Sequence, residues 1–322
     1  MGFILIAILI FPLKALAHHG GVSLPFGPGT PIETASTLTL PEGGVVLYTR
    51  TEQVEWRKFQ FAEPNNKSSF TFSSLGVSYG ITPYLTGSFS VPYSIKRQDS
   101  LGSNSGIGDI RFSGILGFHH EPGKGFELNA AKETAISLEG VKKTFFTFYG
   151  GFTLPTGKTK MELGGEVDPG MQPGFGSPSF TLGLNAGRSL FRSLSLVADA
   201  SFDVFTRRDD FKFGNEYRFN LAAVKELYGK PEKFVAKIDG ILELNCLHIA
   251  RDERGGEKLT ATGGNILYVT PGMRFSFPKL QNANLGLAVK IPVYRNLNEQ
   301  DQQQGSEGLE KYRAIVTLSF FF

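Results

Sequence analysis

Residues 194–204 read Leu194-Ser195-Leu196-Val197-Ala198-Asp199-Ala200-Ser201-Phe202-Asp203-Val204. Leu194, Leu196, Ala198, Ala200, Phe202 and Val204 share one face, and Ser195, Asp199, Ser201 and Asp203 share the other. Side chains that alternate with a period of two belong to a strand, apolar on one side and polar on the other. The same pattern recurs along the chain. Phe180, Leu182, Leu184 and Ala186 oppose Ser179, Thr181, Asn185 and Gly187, and Ile110, Phe112, Leu116 and Phe118 oppose Arg111, Ser113 and Gly117. In the tail, Tyr312, Ala314, Val316, Leu318, Phe320 and Phe322 oppose Arg313, Thr317 and Ser319. Composition points the same way: 39 Gly and 29 Phe among 322 residues, with four Met and one Trp, suit strands and turns better than helices.

Working outward, the alternation predicts twelve long strands, at about 44–61, 68–80, 84–97, 108–119, 142–155, 177–188, 194–207, 211–225, 233–250, 260–277, 283–295 and 310–322. Most exceed the five or six residues of an ordinary strand and match the about 9 to 11 needed for a tilted strand to cross a bilayer. Short turns such as Gly80–Pro83, Ser189–Ser193 and Pro278–Asn282 alternate with long polar loops such as Gln98–Ile107, Thr156–Gly176, Asp252–Leu259 and Asn296–Leu309. In lipid an unpaired strand edge leaves backbone groups unsatisfied, so such strands must close. The expected fold is all-β: a single transmembrane antiparallel barrel of about twelve strands over residues 44–322, in the bacterial outer membrane with surrounding lipid as its partner. Two features depart from this scheme, and one is the brief extracellular crossing Ala62–Lys67. His120–Val141 is long for a periplasmic connection, and a hairpin hidden there would raise the count to fourteen. Tyr79, Tyr84, Tyr149, Tyr268 and Tyr312, near strand ends, are expected to form interfacial girdles.

Gly2–Leu13 is uncharged and almost wholly apolar, and Lys14 and Ala15-Leu16-Ala17 follow it. This reads as a signal peptide over residues 1–17, too short to span as a helix. Residues 18–43, rich in Gly, Pro, Ser and Thr, form an irregular N-terminal arm that either plugs the lumen or hangs in the periplasm as a tether. Val22, Leu24 and Phe26 are its candidate plug residues. His18 and His19 at the start of the mature chain are candidate ligands for a divalent metal, although no Asp or Cys stands at motif spacing to complete a shell.

The phase of the alternation places Arg111, Asp199, Asp203, Glu216, Arg218, Lys237, Asp239, Glu243, Lys290 and Arg313 on the lumen face. Both signs occur, so they either pair and fill the barrel or set the selectivity of a wet path. Thirty-three basic against thirty acidic residues exclude a charge-driven nucleic-acid binder. The lone Cys246 excludes an intrachain disulfide. No nucleophile-base-orienter set or phosphate-binding glycine loop is present, so no catalytic residue and no cofactor is nominated beyond that metal. Two other readings stand beside a channel. One is a structural barrel that anchors a periplasmic partner; the other is an outer-membrane lipid hydrolase, for which His248 is the only histidine near the outward face.

Leu75-Gly76-Val77-Ser78-Tyr79-Gly80-Ile81-Thr82, then Val91-Pro92-Tyr93, Gly106-Ile107-Gly108-Asp109-Ile110 and Phe152-Thr153-Leu154-Pro155-Thr156-Gly157-Lys158 occur in that order. With them the chain resembles the outer-membrane barrels of the phenol meta-pathway or putative transporter family. The resemblance implies a monomeric, channel-like barrel linked to uptake of aromatic compounds, hence passive passage of a small hydrophobic solute and no enzymatic step. The terminal Phe320-Phe321-Phe322 resembles the signal read by the barrel-assembly machinery, which makes that machinery an expected partner.

Overall fold

The structure is a computed structural model and describes residues 31–58, 66–130, 143–165, 167–191, 193–299 and 309–322. Twelve strands build the wall: β1 (Val45–Trp56), β2 (Lys67–Thr82), β3 (Leu85–Gln98), β5 (Ile110–Glu121), β7 (Thr144–Leu154), β8 (Ser179–Phe191), β9 (Leu194–Phe205), β11 (Glu216–Gly229), β12 (Lys237–Ile249), β15 (Gly264–Phe277), β16 (Ala283–Leu297) and β17 (Glu310–Phe321). Each pairs antiparallel with its neighbour in the chain, and β17 returns to β1 through a ladder from Val46↔Phe321 to Trp56↔Glu310. The ring therefore has no edge, and the wall satisfies its own backbone in hydrocarbon. Its outer face is apolar, carrying Leu75, Val77, Phe148, Phe152, Leu182, Leu184, Phe219, Leu242, Leu287, Ile291 and Val316. This is an outer-membrane barrel, with the short turns at the end where β1 begins and β17 finishes.

Five short strands complete the set: β4 (Gly102–Ile107), β6 (Gly125–Leu128), β10 (Phe211–Lys212), β13 (Glu253–Arg254) and β14 (Glu257–Lys258). Gln98–Ile107, expected as a loop, is mostly strand. β4 runs into β5 along β3, with register Tyr93↔Ile107 before the break and Ser90↔Arg111 after it. One extra residue at Gly108-Asp109 makes a bulge, which ends the β5–β7 ladder at Ile110↔Leu154 and lets β4 rise above the wall along β3, which stays paired with β2 up to Lys67↔Gln98. Within His120–Val141, β6 folds back on the end of β5, from Phe118↔Leu128 to Glu121↔Gly125. It borders β5 below the start of β3 and does not cross the wall, so among the described residues the barrel has twelve strands; residues 131–142 lie outside them. β10, β13 and β14 form a small separate sheet above the β9–β11 and β12–β15 junctions.

The girdle expectation needs correction at two positions. Tyr149 and Tyr268 are 2% and 1% exposed and point into the lumen. Strand parity puts them on the inward phase, and parity overrides nearness to a strand end. Each inward ring also needs space. Tyr149 lies across Gly183 and Tyr48 across Gly76, their register partners, where a Cβ would stand about 2.1 and 2.2 Å from the ring.

Candidate functional site: a lumen closed at two levels

The lower closure is the chain's own N-terminal arm. Ile32 to Leu40 are all buried and run up the lumen from the turn before β1. An extended segment inside a barrel must find partners for its backbone, and the wall supplies them. The Glu243 carboxylate accepts from the amides of Ile32, Glu33 and Thr34 at 2.6, 3.1 and 2.9 Å, and from the Thr34 hydroxyl at 2.6 Å. Thr147 donates to the Ser36 carbonyl at 2.9 Å, Asn185 donates to the Ala35 carbonyl, and the Leu40 amide donates to Thr86 at 2.9 Å. Apolar contacts alternate with these: Ile32 against Ile241, Ala288 and Ile315; Ala35 against Ile115 and Tyr149; Leu38 against Phe145, Val197 and Ala222; Leu40 against Val46 and Tyr48. Ten wall strands hold nine residues of arm.

Charge pins the upper end of this segment. Glu33 pairs with Arg50, and with Lys290 at 2.6 Å. Arg50 also donates to Glu52 at 2.6 Å and to the Ile32 carbonyl at 2.6 Å. Arg313 closes the network on Glu52 and Glu310, both at 2.7 Å. Lys290 additionally faces the Tyr268 ring, 4.5 Å from its centroid. Ions this deeply buried are tolerated because every one is paired.

All ten side chains nominated from the alternation face the lumen, in four groups. Arg313, Lys290 and Glu243 meet the arm as above. Arg218 pairs with Asp203 and Glu216, and Arg111 approaches Asp203 at 4.0 Å. Asp199 accepts from Tyr149 at 2.5 Å and from Asn220 at 2.8 Å, and the chain of bonds continues through Asn245 to Thr270. Near the periplasmic end Asp239 is 3.3 Å from Lys237 and 3.0 Å from Arg274. Glu33, Arg50, Glu52 and Glu310, equally central, escaped the sequence reading. Val22, Leu24, Phe26, His18 and His19 lie outside the described residues. His248 points outward and bonds Asn265 at 2.8 Å, an amide where a hydrolytic triad needs a carboxylate.

The upper closure comes from the β7–β8 loop. Its 3-10 turn, Pro169–Met171, dips into the extracellular mouth, and Met171 is wholly buried among Val54, Trp56, Phe70, Phe72, Leu247, Ile249, Ile266, Tyr268, Leu297 and Leu309. Lys96 donates to the Gly170 carbonyl at 2.8 Å, and Asp168 caps the turn by accepting from the Gly170 amide at 2.8 Å. Two of the quoted motifs latch the loop. Asp109 in the bulge accepts from the Gly157 amide at 2.8 Å and the Phe175 amide at 2.6 Å, so one carboxylate holds both ends of the loop. Gly157 packs so closely there that a Cβ would stand 2.7 Å from the Gly174 Cα.

Protonation separates the two aspartates. Burial pushes the Asp109 carboxyl above its usual value although both amides pull it down. Asp168 is lowered, chiefly by the Lys67 ammonium 3.7 Å away. A raised carboxylate does not weaken the folded state on mild acidification, and a lowered one contributes above its ordinary value of 3.8 and is lost only as pH falls through its depressed value. Trp56, the single tryptophan, sits in the seal and reports on it. Its emission is expected to stay constant on acidification to pH 3.8 and to shift red only below that. Asp168→Asn is expected to remove the transition.

A family model described as "Putative MetA-pathway of phenol degradation" matches residues 69–309. No curated protein matches the chain. Among solved structures, the COG4313 outer membrane channel from Pseudomonas putida F1 superposes with a TM-score of 0.64 at 13% identity, covering 89% of this chain and 98% of that one. That likeness establishes a shared fold. The β domain of the Bordetella autotransporter BrkA (TM-score 0.47, 9% identity, 87% and 100% covered) and the P. putida toluene transporter TodX (TM-score 0.35, 8% identity, 94% and 99% covered) are more distant barrels.

Proposed function

The chain belongs to the family described as "Putative MetA-pathway of phenol degradation", and from this and the apolar seal we propose that it is a passive channel of the bacterial outer membrane for a small hydrophobic solute, with no chemical step. The observation that carries the proposal is the composition of the upper closure. Eleven buried apolar side chains from β1, β2, β12, β15, β16 and the Met171 turn, with Leu309, fill the mouth. Lys96, Lys290 and Arg313 border this layer but are engaged by its rings and by paired carboxylates or carbonyls, so an ion or sugar entering it loses most of its hydration, whereas an apolar solute gains by entering it. The name of the solved barrel that shares the fold, an outer membrane channel, fits this reading. Below the seal the arm is the stopper, held by bonds that water can replace. Its release opens the path, and movement is then down a gradient.

The filled lumen favours a second reading, a structural barrel that anchors a periplasmic partner. Vesicles with a lipopolysaccharide outer leaflet distinguish them. Protein lacking Gly20–Leu40 is expected to speed toluene entry over full-length protein while leaving glucose excluded; equal toluene entry by both would support the anchor. Hydrolysis of lipid by the detergent-solubilised protein would instead rescue the enzyme reading. Assembly is expected to depend on recognition of the C-terminal strand, and a divalent metal at His18 and His19 remains a proposal that calorimetry with a His-to-Ala pair tests.

A further inference from the structure

Above the seal, the outer loops enclose a pocket of about 170 Å³. Phe175, Phe211 and Phe213 form its apolar wall, with Phe211 and Phe175 set edge-on to Phe213 at 4.9 and 5.5 Å between centroids. Its rim is polar and of both signs, with Arg208 and Arg254 beside Asp209 and Asp210. Pro169 also lines it, and Pro169 is the first residue of the turn whose third residue, Met171, plugs the lumen. One side of a single turn of chain thus faces the pocket, and the other side seals the barrel.

We propose that this pocket receives one aromatic ring with a single small polar substituent, and that its occupancy acts directly on the seal through Pro169. Size sets the first limit, because the volume admits one ring and not two. Ring electrostatics set the second: edge-to-face walls favour an aromatic guest over a saturated ring of the same shape. The mixed rim offers donors and acceptors to a hydroxyl and no net charge to a carboxylate. The pocket rests on the channel reading as its entry station, since a guest that shifts Pro169 loosens Met171 from its cluster.

Trp56, inside that cluster and outside the pocket, reports the coupling. Full-length protein titrated with phenol under selective tryptophan excitation is expected to show a saturable change in emission, and cyclohexanol at equal concentration none. Val167→Phe, at an exposed position on the pocket wall, fills the space, and Phe211→Ala removes one ring without touching the seal. Each is expected to weaken the phenol response by about tenfold, the scale of one aromatic pair. No saturable change in the unaltered protein, equal responses to phenol and cyclohexanol, or unchanged midpoints in both variants would overturn the pocket. Toluene entry by protein lacking Gly20–Leu40 is a separate readout: its absence, with the phenol response intact, overturns the channel and leaves the pocket standing.

Discussion

Deleting Gly20–Leu40 and introducing Met171→Asp in the same protein is expected to raise single-channel ion conductance by about tenfold or more over either change alone. The two closures lie in series along one lumen, so the larger resistance dominates whichever is left in place. Without the arm, the Met171 cluster still excludes ions. With a carboxylate at position 171, the turn cannot remain in an apolar layer, because burying an unpaired charge costs several kcal/mol, yet the arm still fills the space below. Planar-bilayer recordings of the two single variants and the combination make the comparison. Additive, small increments would mean that the closures are not in series.

Glu33→Ala is expected to release the arm while the wall stays intact. The substitution removes the partner that Lys290 meets at 2.6 Å and one of the two carboxylates on Arg50. Breaking a buried pair from one side costs about 3–5 kcal/mol, because the other charge stays buried. Here that cost falls on docking of the arm, since both cations belong to wall strands with other support: Arg50 keeps Glu52, and Lys290 keeps the Tyr268 ring. Proteinase K is expected to clip the arm of this variant in lipid at least about a hundredfold faster, as a loss of 3 kcal/mol in docking implies. The unfolding midpoint of the barrel in urea should move little. Glu33→Gln, which retains hydrogen bonding, is expected to fall between the two.

These outcomes also show what alternation can and cannot reveal. Where one face is apolar along the whole strand, as from Leu194 to Val204 or Tyr312 to Phe322, phase is unambiguous, and it carries Asp199, Asp203 and Arg313 to the lumen with it. β1 is different. Val45–Trp56 has Thr49, Thr51, Gln53 and Glu55 on the outward phase, while the inward one runs from Arg50 and Glu52 to Val54 and Trp56, so the outer face turns polar midway and no steady contrast marks the two buried charges. Tyr149 and Tyr268 are ambiguous for a related reason. Tyrosine suits both a headgroup girdle and a hydrogen-bonded interior, and only parity decides between them.

The arm carries even less local signal. Glu33-Thr34-Ala35-Ser36-Thr37 has the composition of a solvated linker, and its burial depends on Glu243, Thr147 and Asn185, which lie 111 to 210 positions away. Nothing local announces such partners. Met171 is equally silent, one apolar residue in a Gly- and Pro-rich loop whose inward course is set by Asp109 some sixty positions earlier. By contrast the short motifs around Gly106–Ile110 and Pro155–Lys158, quoted for resemblance alone, prove to be the two halves of one latch.

Hydrogen exchange at the backbone of Ile32 to Leu40, in full-length protein reconstituted into lipid, tests the central claim most directly. Amides of Ile32, Glu33 and Thr34 bound to Glu243, and that of Leu40 bound to Thr86, are expected to exchange orders of magnitude more slowly than in a free peptide, and Glu243→Ala is expected to release the first three and leave Leu40 protected. Exchange of all four at free-peptide rates in the unaltered protein would contradict an arm lodged in the lumen.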